Sequence, residues 1–343
     1  MIPTTHLTPD YAIPRIINGG WQLSEGHTKR HLDPHETLQS LFQIAEAGFT
    51  AFDCADIYTG VEEMFGAFLK QWRQHHDIPI RIHTKYVPNL DDLANLKPHQ
   101  IAATIDRSIQ RLGVECLDLV QFHWWDYEVP GYVEAALELQ KIQKAGKIRL
   151  IGGTNFDVPR LKELVEAGVK PVSMQIQYSL LDRRAQNGMA QYCQEQGIKL
   201  LCYGSLAGGF LSSRYHQRQP APEPENRSLT KYGLIIKDFG GWGLFQDLLE
   251  VMTEIAKETG VDLANIAVAW LLGRPAVGAA IVGARHAGHI ASNLRVFQVA
   301  LTEEHLQKLE EVLARSTGPE GDTFALEREP GGPHSVIMKT NLN

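Results

Sequence analysis

The sequence lacks the features that announce several kinds of protein. Its four cysteines (Cys54, Cys116, Cys193, Cys202) form no C-x-x-C pair, which argues against a disulfide framework or a thiolate zinc site and points to a reducing compartment. No apolar run approaches the roughly 18 residues of a membrane span. The opening MIPTTHLTPDYAIPRIIN has no basic segment followed by an apolar one, so the chain reads as cytoplasmic. Positive charge is in deficit: 33 Lys and Arg against 40 Asp and Glu leave a formal charge of −7. A surface built to bind nucleic acid or an anionic membrane is thereby disfavoured, and any anionic ligand must be met by a local cation. There is no G-x-G-x-x-G after the first strand, no G-x-x-x-x-G-K-[ST], no H-E-x-x-H and no G-x-S-x-G. A dinucleotide-binding Rossmann half, a P-loop, a zincin-type metal site and a hydrolase nucleophile elbow lose their usual turn chemistry or ligand spacing, and no metal is expected.

What is present is alternation. The composition, 43% hydrophobic and 21% charged over 343 residues, is that of a soluble globular protein. Eight short apolar runs, PRIING, FTAFD, IRIHTK, LDLVQFH, IRLIGG, VSMQIQ, KLLCYG and AAIVGA, take turns with helical patterns. In residues 98–112, Pro98 opens a stretch with Ile101, Ile105, Ile109 and Leu112 on one face. Asp157 is placed to cap the next amphipathic stretch, which closes at Gly168. Alternation alone fits an open doubly wound sheet or a closed barrel, and the missing phosphate fingerprint favours an α/β fold of the (β/α)8 TIM barrel type. Such a barrel needs about 250 residues, so residues 1–343 read as a single barrel domain with two additions. One is a long loop after the seventh barrel strand, residues 206–245, containing QPAPEPE and a possible lid. The other is a C-terminal tail, residues 317–343, without periodicity.

Barrel strands deliver the side chains at their carboxyl ends to one mouth. Asp53 ends the second strand, with Tyr58 just beyond; Lys85 ends the third and His123 the fourth. Thr154 and Asn155 follow the fifth strand, Gln175 lies in the sixth and Tyr203 ends the seventh. An acid, a phenol, an amine and an imidazole at neighbouring strand ends suit proton transfer. An ammonium at Lys85 would stabilise a Tyr58 phenolate, Asp53 would hold the lysine, and His123 would donate to a substrate oxygen. Trp21, Tyr86, Trp124 and Trp125 follow or end strands, and Phe239 and Trp242 lie in the long loop; all six are candidates for an aromatic substrate pocket.

With these residues in place, the chain resembles the aldo-keto reductase superfamily from about Asn18 to Arg295. The matching stretches are FDCADIYTGVEEMFG, IHTKY, RLGVECLDLVQFHWW, GKIRLIGGTNF, MQIQYSLLDR, YGSLAGGFL, IAVAWLL and IVGARHAGHIASNL. The resemblance implies a (β/α)8 reductase of small-molecule carbonyl compounds using NADPH, with NADH less favoured. It implies the tetrad Asp53, Tyr58, Lys85 and His123, with Tyr58 as general acid. It assigns Thr154, Asn155 and Gln175 to the nicotinamide carboxamide and Tyr203 to the nicotinamide ring, with Gly204, Ser205 and Leu206 beside it. It gives Gly283, Arg285 and Asn293 to the adenosine end, where Arg285 would meet a 2′-phosphate. This chain departs from the family's pattern at Thr59, Thr154, Gly204 and Ser205. Some relatives serve as accessory subunits, so a non-catalytic or slow redox-sensing binding subunit holding NADPH is the alternative.

Overall fold

Two short strands that the sequence reading passed over, β1 (Thr4–Thr8) and β2 (Tyr11–Pro14), precede the eight that it located. Those eight are β3 (Ile16–Gly19), β4 (Ala51–Asp53), β5 (Arg81–Tyr86), β6 (Leu117–Phe122), β7 (Ile148–Thr154), β8 (Ser173–Gln177), β9 (Lys199–Tyr203) and β10 (Val277–Gly283). In this computed structural model, which describes residues 2–24, 33–219, 223–283 and 285–342, they pair in parallel and close on themselves in the order β10-β3-β4-β5-β6-β7-β8-β9. This is the (β/α)8 barrel. Residues 220–222 of the Pro-rich stretch, Ala284 and Asn343 lie outside the described residues.

The period of two in each strand sorts the side chains between two cores. Ile17, Ala51, Leu119, Leu150, Leu201, Ala279 and Ile281 turn inward and pack with Leu7, Tyr11 and Ile13 of the β1–β2 hairpin. The hairpin thus fills the end of the barrel opposite the strand carboxyl ends. The alternate positions, among them Phe52, Ile82, Val120, Phe122, Ile151, Met174 and Leu200, face outward and pack under the helices.

The helices are α1 (Pro34–Glu46), α2 (Val61–His75), α3 (Pro98–Leu112), α4 (Tyr132–Lys144), α5 (Val158–Glu166), α6 (Met189–Gln196), α7 (Arg227–Phe239), α8 (Gly241–Thr259), α9 (Leu263–Leu272), α10 (Ile290–Arg295), α11 (Glu303–Leu313) and α12 (Ala325–Arg328). Pro98 opens α3 and Gly113, at φ +62°, ends it; Asp157 caps α5 by accepting from the Arg160 N–H at 2.9 Å. Both follow the sequence reading, although Ser108 takes the fully buried place on α3 and Ile109 is only partly covered. Where α2 crosses α3, Gly66 lets the backbones meet, since a Cβ there would stand 2.3 Å from the Arg111 carbonyl oxygen.

One expectation is corrected. Residues 206–245 are not a long loop: they contain the 13-residue helix α7, and α8 already begins at Gly241. Leu229, Tyr232, Ile235, Ile236 and Phe239 recur at helical spacing and are buried, a stripe flanked by the Pro-rich stretch and a glycine pair. The tail, expected only to lack periodicity, is ordered. Residues 315–342 contain α12 and form a strap over the mouth. Thr323 donates to the Phe156 carbonyl (2.7 Å), Arg328 to those of Trp124 (2.7 Å) and Asn155 (2.8 Å), and the Leu90 N–H to that of Thr340 (2.9 Å).

Candidate active site

The inward positions at the carboxyl ends of β4, β5, β6 and β8 build one hydrogen-bonded cluster. Lys85 Nζ donates to Asp53 Oδ2 at 2.5 Å and to the Cys54 carbonyl at 2.8 Å. The other Asp53 oxygen accepts from Gln121 (3.0 Å) and Gln175 (2.6 Å), and Gln175 also donates to Gln121 at 2.8 Å. All four side chains are buried. Burial alone would lower the Lys85 pKa, but the carboxylate of Asp53 and the neighbouring Tyr58 overcome it and hold the lysine above its usual value. It is an ammonium throughout the physiological range.

Tyr58 enters through that ammonium, whose Nζ lies 5.0 Å from the centre of its ring. Its pKa moves opposite to the sequence expectation: burial raises it more than Lys85 lowers it. Tyr58 therefore stays protonated near neutrality, with the ammonium beside it to receive a developing phenolate.

His123 lies two residues beyond Gln121, buried, with Trp125 edge-on at 4.3 Å and Phe324 at 5.5 Å. Its Nδ1 faces the Thr154 carbonyl oxygen at 3.2 Å, and its Nε2, although buried, has no hydrogen-bond partner. Burial, with Arg328 adding to it, pushes the ring's pKa down to about 3. A carbonyl only accepts, so the neutral ring keeps its proton on Nδ1 and leaves a lone pair on Nε2.

The residues expected at the cofactor lie around this cluster. Thr154 Oγ1 donates to the Gln175 carbonyl at 3.2 Å. Asn155, at a left-handed φ of 61°, accepts from the Tyr203 hydroxyl at 2.9 Å. Ser205 donates to the Ile281 carbonyl at 3.0 Å, Gly204 sits where a Cβ would meet the Tyr232 hydroxyl at 2.7 Å, and Leu206 packs against the core. Gly283 ends β10 beside Gln22. Arg285 is half-buried, with no carboxylate within 4 Å among the described residues. After β10 a short turn leads into α10, which begins at Ile290 and carries Asn293.

The six aromatic candidates divide. Trp21 stands edge-on to Tyr58 at 5.0 Å and Trp125 faces His123. Tyr86, one step out of phase with Lys85, points out of the barrel and stacks on Phe122. Trp124 is fully buried against Phe122 and Tyr132. Phe239 is buried on the core face of α7, and Trp242 packs with Phe210, Tyr215 and Phe245. These four are packing residues and not a pocket wall or lid.

Several mouth residues escaped the sequence reading. Gln121 was readable by its spacing of two from His123. Phe324 and Arg328 of the strap carried no local signal. Neither did Glu327, buried and held by Arg184 (3.0 Å) and Lys231 (3.6 Å), nor Lys231 itself, 5.1 Å from the Tyr203 ring centre. Arg184 is also held by Asp182 at 2.8 Å. Among the described residues no helix is long and apolar enough to cross a membrane, and no group of three or more His, Cys, Asp or Glu could hold a metal ion.

The model of the aldo/keto reductase family matches residues 15–314, and the chain belongs to that family of oxidoreductases. Among its relatives, the NADP(+) aldo-keto reductase yakc of Schizosaccharomyces pombe is 27% identical over 314 residues, covering 88% of this chain and 87% of that protein. A glycerol dehydrogenase from Gluconobacter oxydans superimposes with a TM-score of 0.75 at 25% identity, covering 94% of this chain and 98% of the other. A thermostable aldo-keto reductase solved with the inhibitor epalrestat gives 0.71 at 25% identity, covering 91% and 100%. The β1–β2 hairpin and the strap lie outside the family match.

Proposed function

We propose that this protein reduces an aldehyde or ketone to an alcohol with NADPH, with Tyr58 delivering the proton. The observation that carries the reading is the buried Lys85 ammonium, clamped by Asp53 and set against the Tyr58 ring. The half-buried Arg285 two residues beyond Gly283 fits a phosphate-bearing cofactor, because among the described residues no carboxylate within 4 Å competes with an oxyanion for its guanidinium. When bound, NADPH supplies the hydride.

The protein's own part follows from its geometry. Lys85 stabilises the Tyr58 phenolate as the proton leaves, and Asp53 with Gln121 and Gln175 fixes the position of that ammonium. His123 takes a different role from the donor the sequence suggested. Its Nε2 lone pair accepts the hydroxyl of the alcohol and leaves Tyr58 as the donor toward the carbonyl oxygen. Trp21 and Trp125 wall the pocket in which the carbonyl compound lies.

Tyr58→Phe tests the reading. NADPH oxidation in the presence of 4-nitrobenzaldehyde is expected to fall by at least about a hundredfold, as for loss of an acid catalyst, while NADPH affinity changes little. Turnover near that of the wild type would refute the assignment. Binding of NADPH without oxidation by the wild-type protein would favour a binding subunit instead.

A further inference from the structure

Tyr58 is carried by no strand or helix. It lies in residues 54–60, between β4 and α2, so its place beside Lys85 has to come from contacts made by that segment. Three ties come from β5 and the residue after it. The Cys54 carbonyl accepts from Lys85 Nζ (2.8 Å), the Cys54 N–H donates to the His83 carbonyl (2.8 Å), and Asp56 Oδ2 accepts from the Val87 N–H (3.0 Å). A fourth comes from the helical layer. Arg111, near the end of α3, donates from Nη1 to the Asp56 carbonyl at 3.2 Å, two residues before the proton donor. The same nitrogen donates to Glu62 Oε2 at 3.3 Å, and Glu62 Oε1 accepts from the Thr84 hydroxyl at 2.6 Å. Asp56, Glu62 and Thr84 are buried, and Arg111 is 30% exposed. The close crossing of α2 and α3 at Gly66 keeps Arg111 within reach of this segment.

We infer that Arg111 is a positioning residue for the proton transfer: with Glu62 it braces the segment that carries Tyr58 against the strand that carries Lys85, and so sets the separation of donor and ammonium. The inference rests on the reductase reading. Both ends of the brace are close to the pair, since Thr84 adjoins Lys85 and Asp56 stands two residues from Tyr58. The brace is also hard to open. Arg111 is the cation within 4 Å of the buried Glu62 carboxylate among the described residues, so it cannot swing into solvent without leaving that charge uncompensated. The support that an ammonium gives a developing phenolate falls with distance. A displacement of about 1 Å, even one caused far from the chemistry, is enough to lower a rate about a hundredfold.

The test uses the full-length protein. In Arg111→Gln, kcat for reduction of 4-nitrobenzaldehyde is expected to fall at least about tenfold, while the KM for NADPH stays within about twofold. In the reverse direction Tyr58 acts as the base, so the pH at which oxidation of 4-nitrobenzyl alcohol by NADP+ reaches half its maximum rises by at least about half a unit. Arg111→Lys, which keeps the charge without the planar fork, recovers part of both. Leu309→Ala, in the core face of α11, lowers Tm and moves neither, which separates positioning from stability. Where Arg111→Gln does not fold, Glu62→Gln combined with Arg111→Met removes the brace and leaves no buried charge, with the same two shifts expected. A kcat and a pH midpoint like those of the wild type in either folded variant overturn the inference, as does an equal pH shift in Leu309→Ala. If the wild type reduces no aldehyde, the reductase reading fails on its own, and hydrogen exchange followed by mass spectrometry decides the brace. Amides of residues 54–60 are then expected to lose at least about tenfold in protection relative to the strands in Arg111→Gln, and not in Leu309→Ala. Equal protection in the wild type and Arg111→Gln removes the brace.

Discussion

Glu327→Gln removes, without changing side-chain size, the carboxylate that compensates the buried Arg184 and the partly exposed Lys231. Glu327 and Arg184 are almost inaccessible to solvent (0% and 1%), Lys231 is 17% exposed, and Asp182 remains to pair Arg184 alone. Lys231 then has no carboxylate within 4 Å among the described residues. Breaking a buried pair on one side costs about 3–5 kcal/mol, because the remaining charge is left without compensation in a poor solvent. Unfolding entropy for a chain of 343 residues is about 0.7 kcal/mol/K, so global unfolding would shift down by about 4–7 °C. A second route limits that figure. Undocking the strap hydrates Lys231 without opening the barrel, and if it costs less than the strain, the variant loses the strap first. The assay is therefore double: thermal denaturation by circular dichroism, and limited proteolysis with cleavage sites mapped by mass spectrometry. The control is Glu329→Gln, an exposed carboxylate two residues away, with an expected shift under about 1 °C. Either a fall in Tm of the stated size or new cleavage between residues 315 and 342 is expected. A Tm within about 1 °C of the control together with an unchanged cleavage pattern would refute the claim that Glu327 compensates buried charge.

Acid sensitivity follows from the interior histidines. Burial pushes His83 down to about 4, and His123 lies at about 3. As pH falls below about 6.5 the unfolded chain protonates both while the folded one does not, so each removes about 1.4 kcal/mol per pH unit until its folded pKa is reached. Tm is expected to fall from pH 6.5 toward 4.5, less steeply in His83→Gln; equal slopes would show that the ring is not held neutral. Cofactor choice is predicted at Arg285: Arg285→Ala should lower the NADPH-to-NADH ratio of kcat/KM by at least about tenfold, and an unchanged ratio would remove Arg285 from the 2′-phosphate.

The barrel was legible because each strand carries its own period-two signal. Asp53, Lys85, Gln121 and Gln175 share a phase with Ala51, His83, Leu119 and Ser173, and that phase alone puts them inside. The same rule separates Lys85 from Tyr86, a distinction that proximity to a strand end obscured. Helix α7 was hidden because its buried stripe adjoins prolines and glycines that read as loop. The strap was hidden for another reason. Arg328 meets Trp124 204 residues earlier in the chain, and Glu327 meets Arg184 143 residues earlier, and no local pattern encodes contacts that only the closed barrel brings together. The tautomer of His123 turned on which ring nitrogen faces a carbonyl, a geometric fact without a sequence signature.

The strap's anchors have a consequence for how catalytic competence is maintained. Phe324 lies against His123, and Arg328 knits the loops after β6 and β7, yet none of these contacts belongs to the barrel wall. The strap is thus tied to the mouth by contacts separate from those that close the barrel, the arrangement in which a segment can open without global unfolding. Where it opens, Phe324 leaves His123 while the barrel stays closed, so an intact mouth and folded mass are different quantities. A preparation can keep every strand and helix of its barrel and still lose the contacts that the strap makes over the mouth.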